Sequence, residues 1–141
     1  MKRIPNVLVL KLLRKKSVPV QFGTDLSYEI NLMKELLLKY NIVGLSAIQV
    51  GLDKQIFLIN SSFTTNNIKV IINPVIDYFS HNTEKLEESN ISFPETFITK
   101  KRSKMIHAQF YDENWNLQKI YMHGFEARLF QQEYDYINGL F

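Results

Sequence analysis

The residues near the C-terminus are the ones whose types and spacing could do chemistry. The segment 131–141 reads QQEYDYINGLF and contains Glu133 and Asp135. A glutamate that follows the first of two histidines four residues apart is typical of a helix holding a hydrolytic metal ion. Here Gln132 and Tyr136 occupy the two histidine positions. Glu133 and Asp135 are two residues apart, so they point to different faces of a helix and cannot form a carboxylate pair.

The rest of the sequence offers no obvious replacement site. The chain has no cysteine, which excludes a thiolate nucleophile and a sulfur-ligated metal. The histidines match no common local metal-binding spacing, although His107 and His123 fall on two strands of a predicted hairpin and could approach each other. The third histidine is His81. The serines that could act as nucleophiles lack a nucleophile-elbow pattern; they are Ser46, Ser89 and Ser92.

Three segments, in order along the chain, resemble the motifs of one enzyme family. IVGLSAIQVG at 42–51 resembles G-x-G-φ-A-A-x-Q-φ-G, in which φ is apolar. ESNIS at 88–92 resembles E-G-C-L-S, and QEYDYINGLF at 132–141 resembles a motif that begins H-E-x-D-H-L-x-G. These are the motifs of the peptide deformylases. LLRKKSVPV at 12–20 is also similar to their L-R-x-x-A-x-P-V opening, so the resemblance covers nearly the whole chain.

The resemblance implies metal-dependent hydrolysis. In this family iron, nickel or zinc is held by the cysteine of the second motif and the two histidines of the third, and a metal-bound water attacks the formyl group of an N-formyl-methionyl peptide. Carried over to this sequence, the resemblance implies that Glu133 transfers protons. It also implies that Gln49 and the backbone N–H of Ile91 bind the oxyanion. The substrate pocket would be lined by Gly44, Leu45, Ser46 and Ile91.

The sequence departs from the family at the metal ligands. Asn90 stands for the cysteine, Gln132 for the first histidine and Tyr136 for the second. Amide oxygens and a neutral phenol are poor ligands for Zn²⁺ or Fe²⁺, which favour imidazole and thiolate donors. We therefore expect no metal and no other cofactor, and we expect these three side chains to form a hydrogen-bonded cluster. The motifs also depart from the family at Ile42, Ser46 and Ser89, which stand for glycine, alanine and glycine.

The hydrophobic pattern predicts the elements that must position these residues. A helix is expected to begin at Thr24 or Asp25 and to end at Asn41. Its apolar stripe, expected to cover a sheet, is Leu26, Ile30, Met33 and Leu37. Strands are predicted at QIFLIN and at KVIINPVIDYF, which Pro74 should interrupt, and SKMIHAQFY and LQKIYMH should form a hairpin.

Two further segments complete the predicted order of elements. The polar and acidic segment 81–100 is expected to be a loop with a short extended piece. Three of its acids, Glu84, Glu87 and Glu88, should be solvated. In the resemblance, Glu88 has the position of a residue that lies near the metal ligands of the family. The last helix should run from about Glu126 to Asn138, with Gly139 as its stop and Gln132 on its buried stripe.

Length and composition limit the fold class. A chain of 141 residues that is 45% apolar and 22% charged is predicted to form one soluble domain, 1–141. The fold predicted from the resemblance is α+β, with antiparallel sheets packed around the C-terminal motif helix and an N-terminal helix. The basic first sixteen residues are expected to belong to the fold of a cytoplasmic protein, with an organellar transit peptide as the open alternative.

Two functions therefore compete. One is a deformylase-like protein that is inactive and binds peptide N-termini, such as N-formyl-methionyl peptides or nascent chains, or else the ribosome or an active deformylase. The other is a metal-dependent deformylase with a rebuilt site that uses Glu133 and a weakly bound hard cation. A decaying copy without a selected function is a third possibility. Neither DNA nor a membrane is expected as a partner.

Overall fold

A computed structural model describes residues 15–62, 67–90 and 93–140, with the backbone alone at 89–90 and 93–96. These residues form seven strands between two helices. The helices are α1 (Ser27–Lys39) and α2 (Gly124–Ile137). The strands are β1 (Gly44–Ser46), β2 (Ile56–Ile59), β3 (Lys69–Phe79), β4 (Thr83–Asn90), β5 (Phe93–Ser103), β6 (Met105–Tyr111) and β7 (Leu117–His123). A 3-10 helix, Ala47–Val50, follows β1 directly.

The strands form two antiparallel sheets, as the predicted α+β fold requires. The larger sheet has the order β1-β2-β3-β6-β7, and the smaller one pairs β4 with β5. β6 and β7 form the predicted hairpin, with Met105 opposite His123 and Tyr111 opposite Leu117. None of the described helices is long and apolar enough to cross a membrane.

The larger sheet is covered by a different helix on each face. Side chains alternate along a strand, so Ile56 and Leu58 of β2 join the core beneath α1, while Phe57 and Ile59 join the core beneath α2. This double burial explains why IFLI is apolar at every position. The stripe predicted for the first helix is confirmed, because its four residues are buried in the α1 core. α2 is thereby fixed against the central strands.

The prediction that 81–100 is mostly loop was wrong. β4 and β5 are long strands paired from Thr83 opposite Ser103 to Glu88 opposite Ile98, with an irregularity before Asn90. Most of their described side chains are exposed, so the segment has the polar composition of a loop. Backbone pairing makes it a sheet, and composition alone does not report such pairing.

The structure also corrects the predicted element boundaries. The first helix starts at Ser27, and the Asp25 carboxylate accepts a hydrogen bond of 3.0 Å from the Ser27 N–H just ahead of the first turn. β3 continues through Pro74, because its pairing with β6 shifts register there and β2 pairs with it only as far as Ile72. The last helix starts two residues early, at Gly124. Gly139 adopts φ 71° beyond its end, as expected of a stop.

The segment that follows the basic N-terminal residues packs against the domain. The Ser17 N–H donates to the carbonyl of Ile137 at 2.7 Å, and the Gln55 N–H donates to the carbonyl of Val18 at 2.9 Å. Val20 is buried in the α1 core. The folded state expected for this region is therefore seen from residue 15 onward, and residues 1–14 lie outside the described part.

The edge-to-face contact between Phe57 of β2 and Phe130 of α2 should be a main anchor of α2. The ring centroids are 4.9 Å apart and both side chains are fully buried. Phe57→Ala is expected to lower the free energy of unfolding by about 3–5 kcal/mol, because it leaves a cavity beneath α2. Phe97→Ala, at a side chain that is 64% exposed, is the control and should change it by less than about 0.5 kcal/mol. Urea denaturation measures both, and equal effects would contradict this packing.

Candidate functional site

Glu133 lies at the centre of the candidate site, where α2 crosses β1. Its side chain is buried, with 4% of the residue exposed, although the α2 core around it is apolar. The Ser46 hydroxyl donates a hydrogen bond of 3.0 Å to Glu133 Oε1. Ser46 is itself fully buried, so this contact is sealed from solvent.

Gly44 allows the carboxyl group to come this close to the strand. Gly44 and Ser46 lie on the same face of β1, and a Cβ added at Gly44 would lie 3.1 Å from Glu133 Cδ. Leu45 points to the opposite face, where it is buried in the α1 core. Of the three β1 residues predicted to line a pocket, Gly44 and Ser46 therefore face Glu133.

Burial sets the protonation state of Glu133. Loss of hydration disfavours the charged form and raises the pKa of Glu133 to about 8, and the Ser46 hydrogen bond and the positive charge of Arg102 offset this only in part. The negative charges of Glu88 and Asp135 add to the rise. Glu133 is therefore mainly a neutral acid at pH 7.

Ser46 also holds the side chain of Gln49. Ser46 caps the 3-10 helix, and its backbone N–H donates to Gln49 Oε1 at 3.0 Å. Gln49 is buried. Ser46 therefore contacts both Gln49, which is predicted to hold an oxyanion, and Glu133, which is predicted to transfer protons. A carboxyl group does lie beside Ser46, but complete burial of the hydroxyl keeps it from reaching a substrate as a nucleophile.

Gln132 and Tyr136 lie one turn apart on α2 and are hydrogen-bonded to each other. Gln132 is half-buried, which corrects its predicted place in the core stripe, whereas Tyr136 is buried. Burial and the neighbouring Glu133 raise the pKa of the Tyr136 phenol above its usual value, so the phenol stays protonated. Two members of the expected cluster are therefore together. The Asn90 side chain and the whole of Ile91 lie outside the described part of the chain, so their predicted places stay predictions.

These donors do not fit the metal site that the resemblance implies. Where the resemblance implies two imidazoles the sequence has a protonated phenol and an amide, and it has no cysteine to supply a thiolate. Within residues 15–62, 67–90 and 93–140, no cluster of three or more His, Asp or Glu side chains is arranged to hold a metal ion. His107 is bonded through Nδ1 to Asp77 and lies opposite Tyr121, and His123 lies opposite Met105, so the hairpin does not bring the two rings together as a pair.

A buried cluster of charges fixes the smaller sheet to α2. The Glu88 carboxylate of β4 accepts hydrogen bonds from Arg102 Nε at 2.6 Å and from Arg102 Nη2 at 2.9 Å, which makes a bidentate ion pair. Arg128 of α2 donates to the same carboxylate at 2.5 Å, and Arg102 Nη1 donates to Asp135 of α2 at 2.8 Å. Two positive and two negative charges therefore balance beside Glu133. We call this set of four residues the arginine clamp.

The sequence reading missed both arginines of the clamp. Arg102 lies in the basic run KKRSK, and Arg128 lies within the predicted last helix. In both places the sequence alone is typical of an arginine that is exposed to solvent. Glu84 and Glu87 are exposed as expected, but the Glu88 side chain is only 9% exposed. The available signal was spacing: Arg128 lies four residues before Gln132 and seven before Asp135, which places all three near one side of the helix.

Comparison with known proteins identifies the family and agrees with the fold. The sequence matches the family described as polypeptide deformylase over residues 5–141. The chain belongs to the polypeptide deformylase family. It is 36% identical over 129 residues to a peptide deformylase of Thermotoga petrophila, covering 91% of this chain and 77% of that protein.

Two further relatives complete the comparison. The crystal structure of the Thermotoga maritima peptide deformylase superimposes with a TM-score of 0.88 at 33% identity, covering 99% of this chain and 94% of that one. A Rickettsia conorii protein named peptide deformylase-like is 36% identical over 98 residues, covering 69% of this chain and 54% of that protein. Family membership and fold are therefore established.

The arginine clamp yields a stability prediction. Glu88→Gln keeps the size of the side chain but leaves Arg102 and Arg128 without their shared charge, so the free energy of unfolding should fall by about 3–5 kcal/mol. Glu87→Gln makes the same chemical change at the exposed neighbour and should have an effect below about 0.5 kcal/mol. Chemical denaturation followed by circular dichroism measures both. A loss below 1 kcal/mol in Glu88→Gln would show that the clamp is dispensable.

Glu133 yields a prediction about pH. Its folded pKa is raised from 4.5 to about 8, so folding takes up a proton between these values, and stability is lost as pH rises through that window. Glu133→Gln imitates the neutral acid and cannot lose a proton. Between pH 5 and pH 8 the variant should gain roughly 2–4 kcal/mol relative to the natural protein. Urea denaturation at several pH values tests this, and a difference that does not change with pH would contradict the raised pKa.

Proposed function

We propose that this chain is a deformylase-family protein that has given up metal-dependent deformylation and retains a pocket for peptide N-termini. The observation that carries the proposal is the pair Gln132 and Tyr136, hydrogen-bonded to each other on α2 at the spacing expected of two metal-binding histidines. Neither side chain supplies a good donor for iron, nickel or zinc. The absence of a cysteine removes the third expected ligand.

The state of Glu133 supports the same proposal. A proton acceptor for hydrolysis needs an ionised carboxylate beside an activated water. Burial favours the neutral acid here, and Ser46 already donates to Oε1. One oxygen of the carboxyl group is therefore already hydrogen-bonded within the protein, as expected of a structural role.

The retained features are those that would hold a peptide. Gly44 and Gln49 match the first family motif, and Ser46, which stands for an alanine of that motif, fixes the carboxamide of Gln49. In this proposal the backbone N–H of Ile91 and the Gln49 side chain bind the N-terminal group of an N-formyl-methionyl peptide or nascent chain, without turnover. The partner in a cytoplasmic setting would then be a ribosome or an active deformylase, with neither DNA nor a membrane involved.

One observation favours an alternative, a hydrolase with a rebuilt site. A carboxyl group whose pKa lies near 8 can change protonation near neutral pH, as a general base or acid must. In this alternative Glu133 would be ionised by movement of the site on substrate binding, with a hard cation held weakly through oxygen ligands. The two proposals differ in whether the natural chain turns over formyl peptides.

Deformylation of an N-formyl-Met-Ala peptide is the deciding experiment. The natural chain and the variant Asn90→Cys/Gln132→His/Tyr136→His are each incubated anaerobically with Fe²⁺ or Ni²⁺, and metal content and released formate are measured. We expect the natural chain to bind less than 0.1 metal per chain and to release formate at least about 1000-fold more slowly than the variant, a difference of about 4 kcal/mol.

Controls separate lost ligands from lost folding. Adding Glu133→Gln to the triple variant should preserve metal binding and abolish turnover, since only the proton acceptor is removed. Isothermal titration of the natural chain with the formyl peptide and with its unformylated form then tests binding without turnover. Metal-dependent release of formate by the natural chain would overturn the proposal and favour the rebuilt site. Binding of neither peptide would exclude the proposed peptide pocket. The remaining possibilities would then be a surface for another partner or a decaying copy without a selected function.

A further inference from the structure

The face of the larger sheet that points away from α2 is covered only in part. Along β2 and at Val70 and Ile72 of β3, this face is buried in the α1 core. Further along the same strand the described side chains reach solvent, and Val75 and Tyr78 are 53% and 44% exposed. On β7, Tyr121 is 64% exposed. An exposed strip of this kind is typical of a contact surface.

Three rings lie side by side on the exposed strip. Tyr78 of β3 lies opposite His107 of β6, and His107 lies opposite Tyr121 of β7. His107 points away from α2 because Ile106 and Ala108, its neighbours along β6, are buried in the α2 core. The ring centroids of His107 and Tyr121 are 4.6 Å apart. We call Tyr78, His107 and Tyr121 the aromatic row.

Hydrogen bonds hold the central ring of the aromatic row in place. His107 Nδ1 and Asp77 Oδ1 are 2.5 Å apart, and Gln109 Nε2 donates to Asp77 Oδ2 at 2.7 Å. The hydrogen bonds from Gln109 and His107 hold the pKa of the Asp77 carboxyl group below its usual value. Both oxygens of this carboxylate are engaged, and the ring that it holds loses little conformational freedom when a flat group stacks on it.

A groove at the end of the larger sheet connects the aromatic row to the smaller sheet. Its volume is about 720 Å³. The groove begins at Tyr78 and is lined by the imidazoles of His81 and His123 and by Lys104, which lies between β5 and β6. Glu84 is the one acid among the described residues that line it. All three histidines of the chain therefore lie in the groove or in the aromatic row.

Lysines lie on both sides of the aromatic row. Lys119 lies opposite Gln109 on one side, and the groove with Lys104 lies on the other. Beyond the groove, Lys85 of β4 lies directly opposite Lys101 of β5. Two ammonium groups in this arrangement repel each other, and an anion bound near them would offset the repulsion.

The lysines around this surface differ from several others in the domain. Elsewhere, four lysines form ion pairs with acids; they are Lys15, Lys34, Lys54 and Lys69. Five lysines around the aromatic row and the groove form no ion pair with any described residue; they are Lys85, Lys100, Lys101, Lys104 and Lys119. We call these five the lysine group. Their charges are available to an anionic partner.

The occupant that suits this surface carries both flat rings and a series of negative charges. Exposed rings on neighbouring strands of a sheet bind stacked bases, and lysines bind the phosphates between them. An acidic peptide would pair with the lysines but leave the rings exposed, whereas an apolar helix would cover the rings but leave the lysines unpaired. Bases of a double helix are already stacked on each other and cannot reach the rings.

We propose that single-stranded RNA binds across this surface, with its bases stacked on the aromatic row and its phosphates in the groove and along the lysine group. The hydroxyl groups of Tyr78 and Tyr121 lie beside the stacked bases in this arrangement and can bond to the ribose 2′-hydroxyl, which DNA lacks. The aromatic row is on the opposite face of the larger sheet from α2 and Glu133. RNA binding here is therefore independent of the proposed peptide pocket.

Fluorescence anisotropy of the full chain with labelled oligouridine of about 8 nucleotides tests the proposal. We expect a dissociation constant in the micromolar range at about 50 mM salt. Affinity should fall as salt rises to about 200 mM, and a plot of log affinity against log salt should have a slope of about −2 or steeper, because each neutralised phosphate of a single strand contributes about −0.7. DNA of the matching sequence should bind at least about twofold more weakly.

Substitutions at Tyr121 test the stacking. Tyr121→Ala should raise the dissociation constant for RNA at least about fivefold, whereas Tyr121→Phe keeps the ring and should leave it unchanged. Neither variant should alter the binding of heparin, which has negative charges but no bases. Tyr28→Ala removes a tyrosine of α1 that is 76% exposed and is the matched control. Circular dichroism confirms that each variant is folded.

A pair of lysine variants tests the path of the phosphates. Lys104→Gln should weaken RNA binding and make the salt slope shallower by about 0.7, which corresponds to one lost phosphate contact. Lys39→Gln makes the same change at an exposed position of α1 and should alter neither quantity.

Four results would overturn the proposal. They are no RNA binding at about 50 mM salt, equal RNA affinity of Tyr121→Ala and the natural chain, equal effects of Lys104→Gln and Lys39→Gln, and equally tight binding of RNA and DNA. RNA binding that ignores Tyr121 would assign the contact to the basic residues at the N-terminus. A chain that binds no RNA but dimerises in sedimentation equilibrium, and loses the dimer in Tyr121→Ala, would assign this face to a second copy.

Discussion

The arrangement of the whole site depends on how α2 is held against two sheets at once. On one side apolar packing, centred on Phe57 and Phe130, fixes the helix to the larger sheet. On the other side the Glu88 carboxylate lies between Arg102 and Arg128 and fixes the smaller sheet. Buried charges cost free energy to desolvate, so they persist only when each has close partners. The clamp provides those partners and sets the position of β4, whose end carries the second motif.

Beside the clamp, burial favours the neutral form of Glu133. An ionised Glu133 would be an unpaired buried charge, since the arginine nearest to it is already paired with Glu88 and Asp135. Protonation removes that cost, and Ser46 satisfies Oε1. Gln132 and Tyr136 bond to each other one turn apart on the same helix.

The resemblance carried by three short motifs predicted the family and the α+β fold, and both are confirmed. Periodicity predicted α1, α2 and the β6-β7 hairpin, because each buries a regular apolar pattern. Composition failed for 81–100, since paired polar strands and polar loops contain the same residues. It failed again for Arg102 and Arg128, because a sequence does not show which charges lose their water.

The sequence by itself determined which atoms are available for chemistry: no thiolate, no imidazole at positions 132 and 136, and the carboxyl group of Glu133 between those two positions. Residue identity is enough for that, because donor types do not depend on folding. The tertiary structure alone decided what the glutamate does. Crossing α2 over β1 at Gly44 buries Glu133 against Ser46, and burial raises its pKa. Desolvation and hydrogen bonding depend on residues 87 positions apart in the chain, which only the fold brings together.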